Sequence, residues 1–81
     1  MILLYPLRTE KAVKLMELDN TIMFVVDRRS NKQQIKSEVE ECFKVKVKSV
    51  NTLIKQNRKI AYVKFAQENA AIDIATKLGL M

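Results

Sequence analysis

Eighty-one residues suffice for one domain, since a chain this short buries roughly 60–65% of the surface its unfolded form exposes. A hydrophobic content of 48%, a charged content of 30% and a single Gly and Pro exclude disordered, collagen-like and low-complexity chains. Fifteen Lys and Arg against nine Asp and Glu leave +6, which points to a polyanionic partner, and one Cys with no His excludes an intrachain disulfide and a zinc site.

In chain order, a short apolar start (Met1 to Pro6) reads as a strand that lacks the basic flank and length of a signal peptide. Thr9 is placed to cap a first helix, with Ala12, Val13 and Met16 as its apolar positions. Asp19-Asn20 breaks that helix. Thr21 to Val26 is β-branched and aromatic and predicts a strand. Ile22, Phe24 and Val26 share one face and Met23 and Val25 the other, so both faces are expected to be covered.

Ser30 or Asn31 opens a second helix, and Asn31 with Gln34 has the spacing of a capping box. Ile35, Val39, Cys42 and Phe43 predict one buried stripe, with Cys42 as a small core residue. Glu38, Glu40 and Glu41 are read as a solvated helix face. Val47 to Ile54 predicts a strand with Val50, Thr52 and Ile54 on one face. Lys55 to Lys59 reads as a polar turn, and Ile60 to Phe65 as a strand with Ala61, Val63 and Phe65 inward. A last helix is expected from an Asn69 cap, with Ala71, Ala75 and Leu78 inside and Gly79 just beyond its end.

The fold class expected is α+β: a small mixed or antiparallel sheet in the order β-α-β-α-β-β-α, spanning residues 1–81 as one domain. A strand–helix–strand followed by a hairpin is a split β-α-β unit, with the last strand between the two parallel ones. The second and third helices cover one face and the first helix the other, giving three layers, α/β/α.

Enzymatic patterns are not found: no His, no Gly-rich phosphate loop, no nucleophile beside a base. An acyl-phosphate or phosphate-ester hydrolase on a split β-α-β scaffold would need an anion loop containing Gly, which Asp27-Arg28-Arg29-Ser30-Asn31 does not offer. No enzyme activity, cofactor or metal is expected. The longest apolar run after the start, Ile22 to Val26, is five residues, too short to enter a membrane as a span.

The charge is localised. From Asp27 to Lys64 eleven basic residues face four acidic ones, a net of +7, while residues 1–26 sum to zero and 65–81 to −1. Arg28, Arg29, Lys32, Lys36, Lys48, Lys55, Arg58, Lys59 and Lys64 are the candidate phosphate contacts in this segment. One alternative is a stand-alone single-stranded RNA binder of recognition-motif type. Lys59 to Phe65 loosely follows that motif's third strand, but its Gly is missing and Tyr62 is the one stacking residue there. Such a binder would depend on Tyr62.

Pro6-Leu7-Arg8-Thr9-Glu10-Lys11, Phe24 to Lys36, Val47 to Leu53, Ala61-Tyr62-Val63-Lys64 and Ala75 to Gly79 together resemble the L-twenty-three family of large-subunit ribosomal proteins, in order over essentially the whole chain. The short Lys55–Lys59 turn is similar to the archaeal and eukaryotic type, and the start without a long basic extension favours the archaeal one. The resemblance implies a cytoplasmic, ribosomal structural protein that binds large-subunit rRNA at the rim of the peptide exit tunnel. It also implies a neighbour of the L-twenty-nine family and a docking platform for the signal recognition particle or other nascent-chain factors.

Residue by residue, it implies RNA contact for Thr9, Glu10 and Lys11, for Asn31, Lys32 and Lys36, and for Asn51 and Thr52. Thr9 and Asn31 equally suit plain helix capping, and Glu10 a helix N-terminus. Thr52 shares the face of Val50 and Ile54, so Asn51, on the opposite face, ranks ahead of it.

Overall fold

A computed structural model of the chain describes residues 3–67 and 70–77. Its elements are β1 (Leu3–Pro6), α1 (Glu10–Asp19), β2 (Thr21–Val26), α2 (Lys32–Phe43), β3 (Val47–Lys55), β4 (Arg58–Phe65) and α3 (Ala71–Lys77). The sheet order is β1-β2-β4-β3, every neighbouring pair antiparallel. β2 and β3 therefore run parallel with β4 inserted between them, the split unit expected from the sequence.

Local chemistry explains the helix ends. The Thr9 side chain accepts from the Ala12 N–H (3.2 Å). At α2 the Asn31 Oδ1 accepts from the Gln34 N–H (2.8 Å) while Gln34 Oε1 accepts from the Asn31 N–H (3.0 Å), which satisfies two donors that the helix leaves orphaned. α1 stops where Asn20 takes the left-handed conformation, φ 52°.

All six residues of β2 are buried, as a strand covered on both faces must be. Ile22, Phe24 and Val26 join Ile35, Val39, Val50, Ala61, Val63, Phe65, Ala71 and Ile74 in the main core under α2 and α3. On the other face Met23 and Ile60 pack with Ala12 of α1. Three layers result. The α1 positions that turn inward are Ala12, Met16 and half-buried Leu15, whereas Val13, expected inside, is 36% exposed.

Cys42 also departs from expectation: it is exposed. Ile35, Val39 and Phe43 follow each other at four-residue spacing, a drift of about 40° per step on an α-helix. By the last turn of α2 the buried arc has moved off Cys42 onto Phe43, which stacks on Phe24 at 6.3 Å between ring centroids. Glu40 is likewise not on a fully solvated face; it is half-buried and accepts from the Val47 N–H (3.2 Å). Asn69 and Gly79, expected to bound α3, and Leu78, expected on its inner stripe, lie outside the described residues, as does the Ala75 side chain.

The Lys55–Lys59 turn is shorter than the sequence suggests. Lys55 pairs with Arg58, and the loop is Gln56-Asn57, both left-handed at φ 53° and 63°, the type I′ geometry that matches strand twist. Gln is a poor residue for that conformation. Gln56→Gly is therefore expected to raise stability by about 0.5–1 kcal/mol, seen as a higher Tm. A lower Tm would mean that the Gln56 side chain contributes more than its backbone costs.

Candidate nucleic-acid interface

Strand register decides which cations meet. Val26 of β2 lies opposite Lys59 of β4, and Ile54 of β3 is also opposite Lys59. The end of β2, the β3–β4 hairpin and the start of β1 thus share one end of the sheet. Both α1 and α2 begin there too, since α1 runs back to Thr21 and the Lys59 ammonium donates to the Ser30 carbonyl just ahead of α2. Thr9, Glu10, Lys11, Arg28, Arg29, Asn31, Lys32, Lys55, Arg58 and Lys59 come together at this end, with Lys36 one turn further along α2. Two helix N-termini add partial positive charge to the same place.

The side chains are not equivalent. Arg28 and Arg29 are exposed on the β2–α2 turn, which is braced by the Arg29 N–H on Asp27 Oδ1 (2.9 Å). Lys55 and Arg58 are exposed at the hairpin, and Arg58 Nη1 donates to the Tyr5 hydroxyl (2.9 Å), which orients the guanidinium without neutralising it. Lys59 is half-buried and held by the Ser30 carbonyl, so its charge is local but its head is occupied. Glu10 reaches Lys14 (3.7 Å) in an exposed pair along α1, worth a few tenths of a kcal/mol at most. Thr9 and Asn31 each use a side-chain oxygen as a cap.

Lys48 and Lys64 do not belong to this cluster. Lys64 lies opposite Thr21, about 17 Å along the strand from the hairpin end, and pairs with Asp19 (3.8 Å). Lys48 sits beside it at the register shift between Val47 and Ser49. Asn51 and Thr52 divide as the alternation predicts. Asn51 is exposed opposite Tyr62 on the α1 side, and half-buried Thr52 is opposite Ala61 on the α2 side.

Sequence reasoning did not find a recess on the α1 side of the sheet, about 350 Å³. Its floor is Leu7, Met23, Ile60 and Tyr62, and its rim carries Thr9, Lys11, Lys55, Gln56 and Arg58. α1 packs over β2 and, through Ala12, onto Ile60 of β4, and leaves β3 open on this side, where Asn51 and Leu53 are exposed. The signal was present in the alternation of β2 and β4, which puts Met23, Ile60 and Tyr62 on one face, but not the distance from that face to Lys11. Among the described residues no helix is long and apolar enough to cross a membrane.

Two comparisons with known proteins bear on this surface. The family model described as Ribosomal protein L23 matches residues 1–75. The large ribosomal subunit protein uL23 of Tetrahymena thermophila is 50% identical over 78 residues, which cover 94% of this chain and 51% of that protein. The chain thus spans about half the length of the curated relative it matches. That relative is eukaryotic, and it lends nothing to the leaning toward the archaeal type.

Proposed function

The chain belongs to the ribosomal protein L23 family, and on that premise we propose that residues 1–81 form one domain that binds large-subunit rRNA as a structural, non-enzymatic part of the large ribosomal subunit. The observation that carries the RNA contact is the convergence of Lys11, Arg28, Arg29, Lys32, Lys55 and Arg58 from separate segments onto one end of the sheet. None of these six takes part in an ion pair among the described residues. Phosphate contacts of this kind fix position and orientation. Lys36, Lys59 and the caps Thr9 and Asn31 flank them, and Glu10 shapes the start of α1. Asn51 offers a neutral donor and acceptor to a 2′-OH or base edge. Lys48, Thr52 and Lys64 make an outer, weaker part of the surface.

Within the subunit the domain sits at the rim of the peptide exit tunnel, beside a protein of the L-twenty-nine family. Its far side takes part in docking the signal recognition particle or other nascent-chain factors. These finer placements come from the family resemblance.

The test is sucrose-gradient sedimentation of the tagged chain from native cells at low and then high salt. Co-migration with the large subunit until high salt is the expected result. Release to the top of the gradient under gentle salt would remove the ribosomal reading and leave a stand-alone RNA binder in its place.

A further inference from the structure

We propose that the recess beside α1 receives the unstacked base of an unpaired nucleotide in the bound RNA, with the adjoining phosphates held at its rim. The proposal rests on the RNA-binding reading above and assigns it a particular contact. Its first support is the combination of floor and rim. The floor is apolar and concave, made by Leu7, Met23, Ile60 and Tyr62, whereas the rim carries Lys11, Lys55 and Arg58 from three different segments. No carboxylate pairs with any of those three cations among the described residues.

A duplex presents phosphates and 2′-hydroxyls to such a rim, but its bases are stacked and nothing in it fills an apolar hollow. An unpaired nucleotide supplies both parts: a flat ring for the floor and phosphates for the cations. At about 350 Å³ the recess lies at the low end of the range for small-ligand sites. The polar groups are placed for an edge as well as a face, since exposed Gln56 at the hairpin tip and Thr9 at the start of α1 both line it.

Tyr62 is central to this site. It is half-buried, with Met23 opposite it on β2 and Asn51 opposite it on β3, and it also lines the neighbouring groove that holds Ser49, Asn51 and Lys64. As a lone aromatic in sequence it carries little weight. In the fold it forms the aromatic part of a floor completed by aliphatic side chains from the β1–α1 connection, β2 and β4.

The experiment uses the full chain and two RNA hairpins, one fully paired and one carrying a single unpaired 2-aminopurine. Wild-type chain is expected to bind the bulged hairpin about tenfold more tightly, in line with a single base stacked on an aromatic, and to change the 2-aminopurine emission. Tyr62→Ala, checked for folding by circular dichroism, should lose that preference while Tyr62→Phe keeps it. Lys11→Gln should weaken both hairpins alike. Equal wild-type affinity for the two hairpins with unchanged emission would overturn the recess and leave RNA binding standing. Salt-dependent binding to neither would overturn the RNA-binding reading and the recess with it. Competition by free adenosine monophosphate as strong as by the bulged hairpin would also overturn the proposal, because the occupant would then be a free nucleotide.

Discussion

Replacing Lys11, Arg28, Arg29, Lys55 and Arg58 together by Gln is expected to lower affinity for large-subunit rRNA at least a hundredfold at moderate salt. The slope of log affinity against log salt should become shallower by about 3.5 to 4.5. Each neutralised phosphate contributes roughly 0.7 to 0.9 to that slope, and the five cations lie at the one end of the sheet where β2, the hairpin and the starts of α1 and α2 meet. The informative control removes five other charges, Lys14, Lys44, Lys46, Lys48 and Lys64. Both variants carry the same net charge, so a diffuse electrostatic attraction would weaken them equally. A loss several-fold smaller in the control is the expected result. Equal losses in a filter-binding titration would show that no particular end of the molecule carries the contact.

Asn20→Ala is expected to destabilise the domain by about 2–4 kcal/mol. Asn20 holds a left-handed backbone at φ 52°, which costs a residue with a plain Cβ about 1–2 kcal/mol. Its side-chain amide donates to the carbonyls of Phe65 (3.2 Å) and Ala66 (3.3 Å), and its Oδ1 accepts from the Ala71 N–H (2.6 Å). The Phe65 N–H in turn donates to the Asn20 carbonyl (3.1 Å). One residue thus ties the end of α1 to the end of β4 and the start of α3. Truncation leaves partly buried backbone groups without partners, at about 1–3 kcal/mol for each that stays dry. For a domain whose total stability is on the order of 4–12 kcal/mol, Tm should fall by about 10–25 °C. Asn20→Gly relieves the backbone but not the lost bonds, so it should recover about 1 kcal/mol. Thermal melts in which Ala and Gly behave alike would mean that the backbone conformation contributes nothing, and a Tm within a few degrees of wild type for both would discount the side-chain bonds.

Much of the fold is legible along the chain because it is local. The period-2 alternation of β4 names its inner face, and the Asn31–Gln34 spacing names the start of α2. An apolar run on both faces of β2 calls for cover on both sides. The two helical stripes are less legible. Val13 and Cys42 are apolar or small and sit within a turn of true core positions, yet a helix buries only the arc its partner reaches. That arc runs through Ala12, Leu15 and Met16 in α1 and drifts along Ile35, Val39 and Phe43 in α2. In sequence the turn spans five polar residues, because nothing in Lys55-Gln56-Asn57-Arg58-Lys59 announces that Gln56 adopts a left-handed backbone.

The candidate interface divides in the same way. The order of charged residues places the positive charge between residues 27 and 64, and the expectation of a polyanionic partner rests on it. Linear proximity, however, grouped Lys48 and Lys64 with Arg28 and Arg58, and left Lys11 to the resemblance. Register reverses that grouping: β4 runs antiparallel to both of its neighbours, so Arg58 and Lys64, six apart in sequence, sit near opposite ends of the sheet, while Lys11 and Arg58 line one recess.

By itself the sequence determined the elements, their order, the three layers and the sign of the central charge, because each follows from periodicity or composition within a short window. Only the tertiary structure decided which cations share an end, that α1 leaves β3 uncovered, and that Asn20 joins three elements. Those features depend on contacts between residues 45 to 51 positions apart or on strand register, and no local pattern encodes them.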